Sequence, residues 1–260
     1  MALIDKIIAI ADAIRANKGA DKKLKLTEMP TAIGEVHNAG KKAEWDAFWD
    51  ACQQNGSRTD YKYAFWNWYP AMFKPKYDMT PTACNYMFYN LFGSKSATFA
   101  TSLKKVLEEC GVTLDTSNCT NFQNMCAYSS ITEMPVLSTV SASALQTTFD
   151  NAAMLETIEG LILKDDGSQT FTNTFRGCTK LKNIVIVNNE DIKSVIGNDL
   201  DMGDCPLTKD SFISVINALS STASGKAVTF KKTAKEDAFT DAEWAKAIEN
   251  KQNWSYAFKE

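Results

Sequence analysis

One histidine, His37, accompanies seven cysteines in 260 residues: Cys52, Cys84, Cys110, Cys119, Cys126, Cys178 and Cys205. Ser-His-Asp and Cys-His chemistry both need an imidazole beside the nucleophile. His37 follows Val36 at the end of a short helical pattern and reads as a surface or cap residue. The cysteines are odd in number, contain no C-x-x-C and share no recurring spacing. They read as free, mostly buried thiols in a reducing compartment, not as zinc ligands.

Other chemistry is equally thin. Asp199-x-Asp201-x-Gly203-Asp204, with Asp210 at the twelfth place, has the beginnings of a calcium loop. Its glycine is misplaced and the closing glutamate is missing. Asp165-Asp166 lies in a turn-forming run and reads as solvated. P-loop, G-x-G-x-x-G, H-E-x-x-H and G-x-S-x-G motifs are absent. The expectation is a protein that is not an enzyme and carries no cofactor or metal.

The residue types left for a functional surface are aromatic. Tyr61, Tyr63, Phe65, Trp66, Trp68, Tyr69, Phe73 and Tyr77 crowd one stretch that Pro70, Pro75 and Pro81 keep from forming a long regular element. Such rings either cover the open end of a stacked core or present flat faces to sugars or proteins. Tyr61, Tyr63, Trp66, Trp68 and Tyr69 are the candidates for surface binding.

Bulk properties narrow the partners. With 45% hydrophobic and 23% charged residues, net charge −3 and pI near 5.4, the chain has the makings of a globular core and no excess of basic charge. Nucleic acid is therefore not an expected partner. No apolar run approaches the roughly 18–20 residues that span a bilayer, so membrane insertion is not expected. The start, Met1-Ala2-Leu3-Ile4-Asp5-Lys6, does not read as a signal peptide, and synthesis in a cytoplasm is expected.

Four segments must position these groups. Residues 1–40 read as two short helices: Leu3, Ile7, Ile10 and Ile14 form a heptad-like stripe, Gly19 supplies a stop, and Met29, Ile33 and Val36 form a second stripe. This segment is expected to serve attachment or homo-oligomerisation, a trimer being one arrangement. Residues 41–82 read as a helix carrying Trp45, Phe48, Trp49 and Cys52, then the aromatic stretch. Residues 206–260 read as a capping unit: an amphipathic helix with Phe212, Val215, Ile216 and Leu219, a strand Ala227–Phe230, a Thr240-x-x-Glu243 capping box, and alternating Trp254, Tyr256 and Phe258.

Residues 83–205 are periodic. The template F-x-x-[C/A/M]-x-x-[L/Y]-x-x-I fits Phe122, Met125, Tyr128, Ile131; then Phe149, Ala152, Leu155, Ile158; then Phe175, Cys178, Leu181, Ile184. A degenerate copy lies near Cys84 and Met87. The β-rich tails Leu161–Leu163 and Ile184–Val187 run into turn formers. A spacing of three suits a helical or 3₁₀ turn entering a strand, and a period in the mid-twenties suits leucine-rich repeats. The expected fold class is α+β: a short leucine-rich-repeat-type solenoid with an N-terminal helical segment and a C-terminal α/β cap.

Several stretches carry a family resemblance. Ile10-Ala11-Asp12-Ala13-Ile14-Arg15-Ala16-Asn17-Lys18-Gly19, followed by Leu26-Thr27-Glu28-Met29-Pro30-Thr31-Ala32-Ile33, resembles a leader on phage tail and fibre proteins. Phe48-Trp49-Asp50, Gln54-Asn55-Gly56, Arg58-Thr59-Asp60-Tyr61 and Phe73-Lys74-Pro75-Lys76-Tyr77 resemble a block preceding BspA-type leucine-rich repeats in phages and prophages of Gram-positive gut bacteria. The repeats and the Ser211–Leu219 helix fit as well. The chain departs from that pattern at Cys126, where an aromatic is usual, and across Phe65-Trp66-Asn67-Trp68-Tyr69. The resemblance implies a virion structural protein of the tail, baseplate or fibre. Its implied partners are other virion proteins and a host cell-surface glycan or protein. A capsid decoration or adaptor without a receptor, and a bacterial surface repeat adhesin, are the alternatives.

Overall fold

The computed structural model describes residues 60–68, 70, 73–95 and 97–260, which fall within one compact unit, Asn55–Glu260. The Leu3, Ile7, Ile10, Ile14 stripe, His37 and the helix expected around Trp45 lie outside the described residues, as does Tyr69.

Among the described residues the fold mixes helix with parallel strand. The helices are α1 (Leu103–Cys110), α2 (Lys209–Ala218), α3 (Lys232–Ala238) and α4 (Asp241–Ala247). The strands are β1 (Glu133–Met134), β2 (Leu137–Ser138), β3 (Thr157–Ile162), β4 (Asn183–Ile186), β5 (Leu200–Met202), β6 (Lys226–Lys231) and β7 (Trp254–Lys259). No described helix is long and apolar enough to cross a membrane.

One sheet pairs β1 and β2 in parallel with β3, and β3 with β4, through Met134↔Ile158 and Ile158↔Ile184. Alternate residues of β4 are buried, as a strand with one core-facing side requires. The ladder slips between Ile158 and Leu161. Gly160 sits at the slip, where a β-carbon would come 3.0 Å from a Val187 methyl and 3.2 Å from one of Val136. Beyond β4 the sheet stops because α2 covers its edge. The Ser211 and Ser214 hydroxyls accept the Ile184 and Ile186 amides at 2.9 and 2.8 Å, so no row of free donors is left there. The second sheet, β5–β6–β7, is parallel throughout.

Upstream of the strands, turn segments lie side by side and hydrogen-bond in parallel. Phe65 N donates to Met87 O at 3.0 Å, Phe88 N to Met125 O at 2.7 Å, Cys126 N to Thr148 O at 2.8 Å, and Phe149 N to Thr174 O at 3.0 Å. This register lines up Phe65, Phe88, Cys126, Phe149 and Phe175 as one buried column. Phe65 and Phe88 stack at 5.5 Å and Phe149 and Phe175 at 5.7 Å.

That register corrects the first copy of the sequence template. Cys126, not Phe122, stands beside Phe149, and Met134, not Ile131, beside Ile158. Phe122 and Ile131 are buried in neighbouring columns, so the template copy is displaced by four residues at Cys126 and by three at Met134. Met125, Leu155, Ile158, Cys178, Leu181 and Ile184 are buried too.

The thiols differ from expectation at one pair: Cys84 and Cys119 are joined in a disulfide, their Cα atoms 6.4 Å apart. Adjacent turns hold them there, with Cys84 N donating to Asn121 O at 3.0 Å. Cys110, Cys126, Cys178 and Cys205 are free, and burial pushes the last three thiols well up.

The C-terminal part packs around Trp244, whose ring meets Phe212, Phe230, Phe239, Tyr256 and Phe258 within 5.5–6.3 Å. The Thr240–Glu243 capping box starts α4.

Candidate binding surface

The turn segments carry an unusual backbone. Tyr63, Tyr86, Asn124, Thr147 and Asn173 occupy equivalent places in five successive turns, all with φ between 52° and 58°. Asn67, Asn90, Tyr128, Asn151 and Gly177 form a second such line with φ between 54° and 72°. Asparagine and glycine tolerate this left-handed region; a bulky side chain there is costly and points to a purpose beyond folding. Tyr63, Tyr86, Tyr128 and the β-branched Thr147 are the departures.

These three tyrosines join Trp66 and Tyr89 in one surface terrace. Tyr63 stacks on Trp66 at 5.1 Å and on Tyr86 at 4.8 Å. Trp66 meets Tyr89 at 5.1 Å, Tyr86 meets Tyr89 at 5.5 Å, and Tyr89 meets Tyr128 at 5.6 Å. Tyr63 is 40% exposed and Trp66 42%, while Tyr86, Tyr89 and Tyr128 are half-buried. Partial burial raises the Tyr89 phenol, and the neighbouring Tyr128 and Tyr86 add to the effect.

The rim is polar. Lys62 lies over the Tyr63 ring at 5.2 Å and Lys95 over Tyr128 at 5.5 Å. Lys95 also donates to Asn151 Oδ1 at 2.9 Å, and the Asn90 amide donates to Asn67. The neighbouring line, which holds Trp66 and Tyr89, turns charged past Ala127. Arg176 grips Asp150 through two bonds of 2.7 Å, with the Asp150 side chain 4% exposed.

The five aromatics expected at a surface therefore separate. Tyr63 and Trp66 lie on the terrace. Tyr61 does not: it is 3% exposed, its ring 6.1 Å from Phe65, in line with buried Cys84 and Phe122. Trp68 is half-buried, edge-on to Phe65 at 5.2 Å. Tyr86 and Tyr89 lie outside the aromatic stretch that supplied the candidates, and Tyr128 belongs to the repeat template. The signal was present, because Tyr63-x-x-Trp66 and Tyr86-x-x-Tyr89 share one spacing at matching places in adjacent turns.

Elsewhere, Thr170, Asn198, Asp199, Asp201 and Thr229 line a cleft of about 390 Å³. Its two carboxylates are engaged with backbone, Asp199 accepting from Ala227 N and Asp201 from Gly203 N, each at 2.8 Å. Among the described residues no group of three or more His, Cys, Asp or Glu is placed to hold a metal ion.

Comparison with protein-family models, curated proteins and solved structures finds no match to this chain.

Proposed function

We propose that this chain is a non-enzymatic virion structural protein, of a phage tail, baseplate or fibre, whose body is a short leucine-rich-repeat-type solenoid that contacts the host surface. The observation that carries the reading is the parallel register of the turn segments. Buried side chains recur in line from one turn to the next, while the outward places vary from Tyr63 and Tyr86 to Asn124, Thr147 and Asn173. A constant frame with variable outward side chains favours binding over chemistry. The resemblance of the leader to that of phage tail and fibre proteins, and of the Phe48–Tyr77 block to one preceding BspA-type leucine-rich repeats in phages and prophages, supports the virion setting. Homo-oligomerisation through the Leu3, Ile7, Ile10, Ile14 stripe would multiply weak contacts per copy.

Peptide mass spectrometry of purified particles, followed by immunogold labelling with antibodies to residues 60–260, tests this. Label at the tail tip or fibres is expected. Label on the capsid would instead assign a decoration or adaptor role, and absence from the particle would defeat the proposal.

A further inference from the structure

We infer that the terrace of Tyr63, Trp66, Tyr86, Tyr89 and Tyr128 is a docking site for an acidic polysaccharide, the sugar rings lying on the aromatic faces and the acidic groups meeting Lys62 and Lys95. This rests on the reading of the chain as a host-contacting body and gives that body a site and a ligand class.

Three observations lead here. The first is backbone conformation: three bulky residues stand at left-handed places that the other turns fill with Asn, Thr or Gly. The second is that the rings hold one another, neighbours standing 4.8–5.6 Å apart, so little side-chain freedom remains to be lost when a ligand settles. An aromatic face carries negative charge density and attracts the polarised C–H face of a pyranose, while the phenol hydroxyls and the indole N–H supply hydrogen-bonding groups.

The third observation is charge. Lys62 and Lys95 flank the rings, and neither forms an ion pair with a described carboxylate. Of the nearby acids, Asp150 is held by Arg176, and Asp60 accepts the Lys62 backbone amide at 3.0 Å. The terrace thus offers two cations to an anionic partner. A nucleic acid strand fits poorly, since it needs a continuous basic groove along its backbone and the terrace is flanked by two separate lysines.

The test uses the full chain in affinity electrophoresis, through gels containing polygalacturonate or alginate as acidic polymers and dextran as the neutral one. Tryptophan fluorescence titrations run alongside. Retardation in the acidic gels, weakened by salt, is expected, with far less in dextran. Trp66→Ala combined with Tyr86→Asn is expected to lower affinity at least tenfold. Lys62→Gln with Lys95→Gln should lower it and flatten the salt dependence. Unchanged circular dichroism and thermal midpoint establish that the variants fold, and Tyr86→Asn keeps a residue suited to its backbone. No retardation by either acidic polymer, equal retardation in dextran, or full retention by the folded terrace variants would overturn the site. If the chain proves absent from virions yet keeps terrace-dependent binding, the virion setting falls and the site stands. The converse removes the site alone.

Discussion

Phe149 and Phe175 lie face to face, ring centroids 5.7 Å apart and planes within 10° of parallel, in adjacent turns joined by the Phe149 N–H to Thr174 carbonyl bond of 3.0 Å. Both are buried. Phe175→Ala is expected to cost about 3–5 kcal/mol, the range for large aromatics removed from a packed interior. Urea denaturation measures this. A loss below about 1 kcal/mol, near what surface sites show, would mean the two rings do not hold the turns together.

The Arg176–Asp150 pair ties the same two turns at the surface. Removing the guanidinium leaves a carboxylate that is 4% exposed with its remaining partner, the Asn151 amide at 2.9 Å. Arg176→Ala is expected to lower the denaturation midpoint, and adding Asp150→Asn should recover part of the loss. Equal stability of Arg176→Ala and the parent chain would show the carboxylate to be hydrated.

Much of the C-terminal part was legible because its signals are local: the Thr240-x-x-Glu243 box, the Phe212 stripe and the Trp254–Phe258 alternation each need only neighbouring residues. The register of the turn segments was not. It is set by hydrogen bonds between residues more than twenty positions apart, and Phe122 matched the template as well as Cys126 matched the column. The terrace was half legible. Tyr63 and Trp66 announced themselves, but Tyr86, Tyr89 and Tyr128 join them only through the stacking of turns. Tyr61 reads like its neighbours and differs only in facing inward.

Thiol reactivity follows burial. Iodoacetamide should modify half-exposed Cys110 before Cys126, Cys178 or Cys205, whose buried thiols resist ionisation. A timed peptide map in native buffer gives the order, and the non-reduced map should yield Cys84 and Cys119 as one linked pair. Early labelling of Cys126 or Cys178 would contradict the packing described.

The capping box gives a pH signature. Hydrogen bonding from Lys209 first, then from Thr240, holds the Glu243 carboxyl down to about 2 from an ordinary 4.5. A lowered folded value means the stabilisation is present above pH 4.5 and is lost as pH falls towards 2. Glu243→Gln should therefore flatten the fall in denaturation midpoint across that window. An unchanged acid limb would show that Glu243 ionises alike in the folded and unfolded chain.

The most direct test of the account is competition for adsorption. Particles carrying this protein are mixed with host cells that have been pre-incubated with excess purified full chain, and unadsorbed particles are counted over time. The account predicts slower adsorption with the parent chain and normal adsorption with the Trp66→Ala, Tyr86→Asn variant. Adsorption at the unblocked rate in the presence of saturating parent chain would contradict it.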